Sequence, residues 1–192
     1  MAESPGNKNR NNKNTKKSSA GWIIRVFLLT IAISIGLSFI SQSALSGANI
    51  AVAILILLVF IFIGIFFDIL GLAIATADER PFHSMAAHKE KGALQSLRLI
   101  RNAERASSFC NDVVGDICGI VSGTTAAVIV ARLVEKFSWK SVIVTLFVSG
   151  LVAGITVGGK AVGKGIAMNN STKIVHFAGR VLGVFSSRNK LR

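Results

Sequence analysis

The chain contains no tyrosine, two cysteines and only nine acidic residues among its 192. Twenty-two Lys and Arg leave a formal charge of +13. In a soluble protein that excess would point to nucleic acid. A strand-binding surface, however, interleaves its basic residues with aromatic stacking platforms, and here the basic residues lie in tails and loops between apolar blocks. No nucleic-acid partner is expected. Cys110 and Cys118 sit two helical turns apart in one apolar run, about 12 Å and beyond disulfide reach. Catalytic signatures are missing as well. His83, His88 and His176 lack metal-ligand spacing, and there is no phosphate loop, nucleophile elbow or zinc motif. The sequence therefore does not read as an enzyme.

What is present is apolar. Charged residues make up 16% and hydrophobic residues 51% of the chain, with a positive mean hydropathy. This is the balance of a membrane protein. Four blocks, about 22–46, 49–76, 107–131 and 141–163, are each long enough to cross a bilayer. Lipid leaves backbone groups no outside partner, so helices are the expected form and the fold class is an all-α membrane protein with four transmembrane helices. Residues 1–20, Asn- and Lys-rich, read as a disordered basic tail. Residues 21–48 form a leading span, longer than the core of a signal peptide and so expected to remain as an anchor.

Charge placement sets the expected orientation. The tail holds five basic residues, the segment between the second and third spans six, and the stretch from Lys164 onward six. The positive-inside rule then places both termini and the central segment in the cytoplasm of a multi-pass protein of the cell membrane. Arg132, Lys136 and Lys140 run against that rule in the outer loop, with Glu135 a partial offset.

The central segment, 78–106, reads as a juxtamembrane helical hairpin. "HKEKG" suggests a helix stop at Gly92, and "ALQSLRLIRNAER" sets Ala93, Leu97 and Ile100 on one arc with Arg98, Arg101 and Arg105 beside it. Over 172–186, Ile174, Phe177, Ala178, Val181, Leu182 and Phe185 recur at helical spacing, predicting a C-terminal amphipathic helix on the bilayer, followed by a basic tail at 186–192. Glycines at 115, 119 and 123, and again at 150, 154 and 158, form stripes that suit close helix packing.

Ionisable residues at membrane depth are expensive, and each is a candidate for function. Asp68 lies about 12 Å from the inner end of the second span, and Asp112 and Asp116 lie about 9 and 15 Å into the third. Three carboxylates at one level cannot all ionise in a dry site. A hard divalent cation would neutralise them, with Asp68, Asn111 and Asp112 as oxygen ligands, Asp116 next, and Ser107 or Ser108 as minor contributors. Proton relay is a second use of the same residues, and pairing with Lys160, the basic residue deep in the fourth span, is a third.

The order of elements, with "FF" at 66–67, a hairpin broken at Gly92, "RLIRNAER" and a following span that opens with Asn111, resembles the transmembrane domain of the CNNM and CorB/CorC proteins, a family linked to Mg²⁺ transport. "GKAVGKGIA" at 159–167 matches that family's closing pattern at Gly159, Lys164 and Ala167. The resemblance covers about residues 50–185. It departs at the family's Ser, which is Asp68 here, at its first Glu, which falls at Gly71, and at its second Glu and Pro, which are Lys160 and Gly163. Two alignments of the family's G-N-N stay open, at Cys110-Asn111-Asp112 or at Gly115-Asp116.

The resemblance implies binding or transport of Mg²⁺, with Co²⁺ as the other candidate, and cytoplasmic regulation by nucleotide-sensing (CBS) and CorC-type acidic-binding domains that are not seen after residue 192. A separate regulatory partner would supply that role. A homodimer in the lipid bilayer is the expected assembly. The alternative is a non-transporting scaffold or regulator in which Lys160 replaces the cation.

Overall fold

The computed structural model describes the backbone of residues 6–137 and 141–188 and the side chains of residues 21–136 and 142–184. Among the described residues every regular element is a helix. They are α1 (Gly6–Ser46), α2 (Ile50–Thr76), α3 (Arg80–Ala87), α4 (Ala93–Arg101), α5 (Ala103–Ser108), a π-helical turn (Phe109–Gly115), α6 (Asp116–Phe137), α7 (Ser141–Asn169) and α8 (Ser171–Arg188). Four helical stretches are long and apolar enough to span a membrane: Gly21–Ser46, Ile50–Thr76, Ala103–Lys136 and Val142–Asn169. The protein is thus membrane-associated, with the four spans the sequence predicts.

α1 starts inside the stretch assigned to a disordered tail. Lys is a good helix former, and the apolar span supplies the nucleus from which the helix extends. Residues 1–5 of that tail, and 189–192 of the C-terminal one, lie outside the described residues.

α2 is the central element. Asn49 caps its start by accepting from the Val52 amide, and its sides pack against α6, α7, the π-helical turn and α8. Leu57 and Ile61 bury themselves against Ala126 and Ile129 of α6. α1 is peripheral and rests on α6. A buried hydroxyl pair, Ser41 and Thr125, joins the two at 3.3 Å. Arg132 donates from its guanidinium to the carbonyls of Leu45 and Ala48, satisfying the open end of α1. That contact accounts for a basic residue where the charge rule disfavours one, because a helix C-terminus attracts cations.

The juxtamembrane hairpin forms, with its first stop displaced. α3 ends at Ala87 rather than at Gly92. Lys89 takes a left-handed conformation (φ 56°), its amide donates to the Ala86 carbonyl, and the Glu90 amide donates to that of Met85. These are the paired bonds of a Schellman ending with a lysine in the place glycine usually takes. Gly92, at φ 89°, instead opens α4. It also touches the backbone of Arg180 in α8, where a Cβ would collide.

The two amphipathic elements also meet. α4 and α8 pack on one another. Ser96 is fully buried and donates to the Val175 carbonyl at 3.1 Å, while Phe82, Leu97, Ala73, Ile74 and Val175 close a common core. His176 faces the Glu90 carboxylate at 3.7 Å. Each helix covers part of the other, while Phe177, Val181 and Leu182 of α8 stay exposed.

The glycine stripes also differ from expectation. A Cβ added at Gly119, Gly123, Gly150, Gly154 or Gly158 would meet nothing within 4 Å. The close approaches occur at other glycines: Gly64 against Cys118, Gly71 against Asn111, and Gly159 and Gly163 against Ile65 and Ile69.

Candidate functional site: a charged cleft between three spans

The sequence of α2 places Gly64, Asp68 and Gly71 on one side, one turn apart, and that side faces the π-helical turn and α6. Small residues at 64 and 71 let those backbones approach. Asp68 is the polar group left between them. α7 brings Lys160 to it, and the ammonium Nζ lies 3.3 Å from Asp68 Oδ1. The two side chains are only 16% and 28% exposed, Asp68 the lower.

Beside this pair lies a cleft of about 410 Å³ within the membrane spans, to which Gly64, Gly115, Asp116, Ser122, Thr156 and Lys160 contribute. Its hydroxyls have a defined polarity. Ser122 donates to the carbonyls of Cys118 and Gly119, and Thr156 donates to that of Val152. With their single protons committed to their own helices, both oxygens present lone pairs only. Asp116 is exposed on the flank of the cleft. Lys160 thus pairs with Asp68 and shares the lining of the cleft with Asp116 and two hydroxyl acceptors.

The remaining predicted ligands separate. Asn111 turns toward Gly71, its Oδ1 occupying the space a side chain there would need; that oxygen is buried without a hydrogen-bond partner. Asp112 faces another way. With Ser108 it lines a distinct cavity of about 290 Å³ against Trp22 and Arg25 of α1, with Arg105 nearby. Ser107 donates back to the Glu104 carbonyl in its own helix. Among the described residues no three His, Cys, Asp or Glu side chains form a group able to hold a metal ion.

The reason for the separation is local. Residues 109–115 form a π-helical turn, which inserts one residue and rotates what precedes it by about 100° relative to an α-helix. Asp112 and Asp116, four apart, share a face in an α-helix; across this turn they do not. Thr156 and Ser122 were missed by sequence reasoning. The signal that could have found them is depth and spacing: Thr156 precedes Lys160 by one turn on α7, and Ser122 lies within the third span.

Outside the spans, Glu79 is held by two basic partners. Arg101 Nε donates to its carboxylate at 2.9 Å and His83 lies 3.1 Å away. The Arg101 hydrogen bond, with His83 adding to it, holds the Glu79 carboxyl below its ordinary 4.5. The pair ties α3 to the end of α4.

Comparison with known proteins yields no match of this chain to a family model, to a curated protein or to a solved structure.

Proposed function

We propose that the protein binds a divalent cation, Mg²⁺ or one of similar hardness, in the cleft between α2, α6 and α7 and moves it across the cell membrane, with Lys160 as the internal counter-ion that the cation displaces. The observation that carries this reading is the polarity of the cleft: every uncharged side-chain oxygen at its wall is an acceptor, Asp116 lines it, and Asp68 adjoins it through its contact with Lys160. Hard cations take such oxygens. The unpartnered Oδ1 of Asn111, which lies against Gly71 one turn beyond Asp68 on α2, is a further acceptor lacking a donor. Charge balance supports exchange as well. Two carboxylates and one ammonium sum to −1, whereas two carboxylates and a divalent ion sum to zero once the ammonium has left.

In this reading both termini, the hairpin and α8 are cytoplasmic, as the distribution of basic residues suggests. The open glycine faces of α6 and α7 provide for a second copy of the chain. Resemblance to the CNNM and CorB/CorC transmembrane domain favours Mg²⁺ or Co²⁺ as the cargo.

A second reading is favoured by the Lys160–Asp68 contact itself. If the ammonium is a permanent occupant, the protein is a membrane scaffold or regulator rather than a carrier. Thermal unfolding of the detergent-purified protein with increasing MgCl₂ at constant ionic strength separates the two. An ion that binds only the folded state must raise the midpoint. Under the transport reading the wild type responds, Asp68→Asn and Asp116→Asn do not, and Lys160→Met responds at lower Mg²⁺. A response confined to Lys160→Met would establish the scaffold reading, and no response in any variant would remove the cation from the account.

A further inference from the structure

A second cavity lies away from the charged cleft, where α8 runs past the end of α2 and the π-helical turn. It is a groove of about 650 Å³, within the ordinary range of about 300–1,000 Å³ for small-molecule sites. Phe66 and Leu70 form one wall, Phe177, Val181 and Leu182 the other, and Lys173 at the rim is its one ionisable side chain apart from the buried Cys110 thiol. The apolar wall is not closed by the chain. Phe177 is 61%, Leu182 45% and Val181 42% exposed, although α8 is anchored by Ile174 and Val175 in the core beside it.

We propose that this groove binds one acyl chain of an anionic glycerophospholipid, with the Lys173 ammonium on its phosphate. The lining offers water almost nothing to hydrogen-bond, so the occupant is apolar along most of its length. It must also end in negative charge. A lysine stem lies along apolar surface while its head reaches the polar layer, and basic pockets between membrane helices hold anionic headgroups. A free phosphate would leave the carbon walls empty. A zwitterionic lipid would fill them but gain little from Lys173.

The test uses the full chain in detergent, with thermal unfolding and native mass spectrometry as readouts and dioleoyl phosphatidylglycerol, dioleoyl phosphatidylcholine and inorganic phosphate as probes. Phosphatidylglycerol should remain bound and raise the midpoint at lower concentration than phosphatidylcholine, and inorganic phosphate should do neither. Lys173→Gln should remove that preference, about fivefold for one lysine at an anionic surface, and retain the phosphatidylcholine response. Val181→Trp, at an exposed position where folding is not at stake, should abolish the response to both lipids. The proposal is overturned if Lys173→Gln keeps the preference, if Val181→Trp leaves lipid binding intact, or if the groove-dependent species is a second protein chain. None of these outcomes depends on Mg²⁺.

Discussion

Replacing Lys160 by Met removes the ammonium and keeps most of its stem volume. At 3.3 Å and an effective dielectric of about 20, the direct attraction to Asp68 is about 5 kcal/mol. Desolvation of both groups offsets much of this, and both retain some contact with solvent. Removing one partner of a buried pair costs about 3–5 kcal/mol, so the lower end, about 3 kcal/mol, is expected for Lys160→Met, which strands Asp68 among apolar helices. Asp68→Asn should cost less, about 1–2 kcal/mol, because Lys160 keeps Asp116 as a neighbour in the cleft. The double variant should recover part of the loss, giving a coupling energy of about 2 kcal/mol. Reversible unfolding in mixed micelles, without divalent ions, measures all four corners of the cycle. A coupling below about 0.5 kcal/mol would mean that the contact is incidental, and the charge balance assigned to the cleft would go with it.

Lys89→Gly relieves a left-handed conformation that costs a side-chain-bearing residue roughly 1–2 kcal/mol, so the variant should unfold at higher denaturant with an unchanged slope. Gly71→Ala forces a Cβ into the Asn111 amide and should destabilise by about 1–3 kcal/mol, whereas Gly119→Ala meets open space and should leave the monomer's stability unchanged or slightly higher; equilibrium unfolding of the two variants compares them. If the open face of α6 meets a second copy, Gly119→Ala should weaken dimerisation in analytical ultracentrifugation. Glu79 has a depressed carboxyl pKa in the folded state, so its contribution is present above the ordinary value of 4.5 and disappears as pH falls through the folded value. Hydrogen-exchange protection in α3, corrected for the pH dependence of the intrinsic rate, should fall on acidification below about 4.5, and Glu79→Gln should remove that dependence.

The spans were legible because length and apolarity are properties of a stretch taken alone, and nothing distant changes them. Amphipathic helices carry less information. The arcs of α4 and α8 are correctly periodic, but a period identifies a face and not its partner, so the mutual contact through Ser96, Leu97 and Val175 could not be read from either arc. The same limit applies to glycine. A four-residue repeat marks α6 and α7 as smooth on one side, but it does not say which glycines meet a neighbour: Gly119, Gly123, Gly150, Gly154 and Gly158 meet none, while Gly64, Gly71, Gly159 and Gly163 do. The stop at Gly92 failed for a different reason. Glycine was needed there for close passage of α8, which left Lys89 to end α3.

The site divides along the same line. Asp68 and Lys160 were found by depth alone, since the price of isolated charge inside a bilayer makes a partner close to obligatory once the helices are adjacent. Asp112 was misplaced because depth is not direction, and direction across residues 109–115 depends on a π-helical turn that no spacing rule reveals. That turn sends Asn111 to Gly71, Asp112 toward Arg25 and Asp116 to the cleft. Relaxing it to a regular α-helix would bring the two aspartates back to one face, and Lys160 alone could not then neutralise three carboxylates. The irregular turn and the internal lysine are therefore complementary: one limits how many acids reach the cleft, and the other supplies the positive charge for those that do.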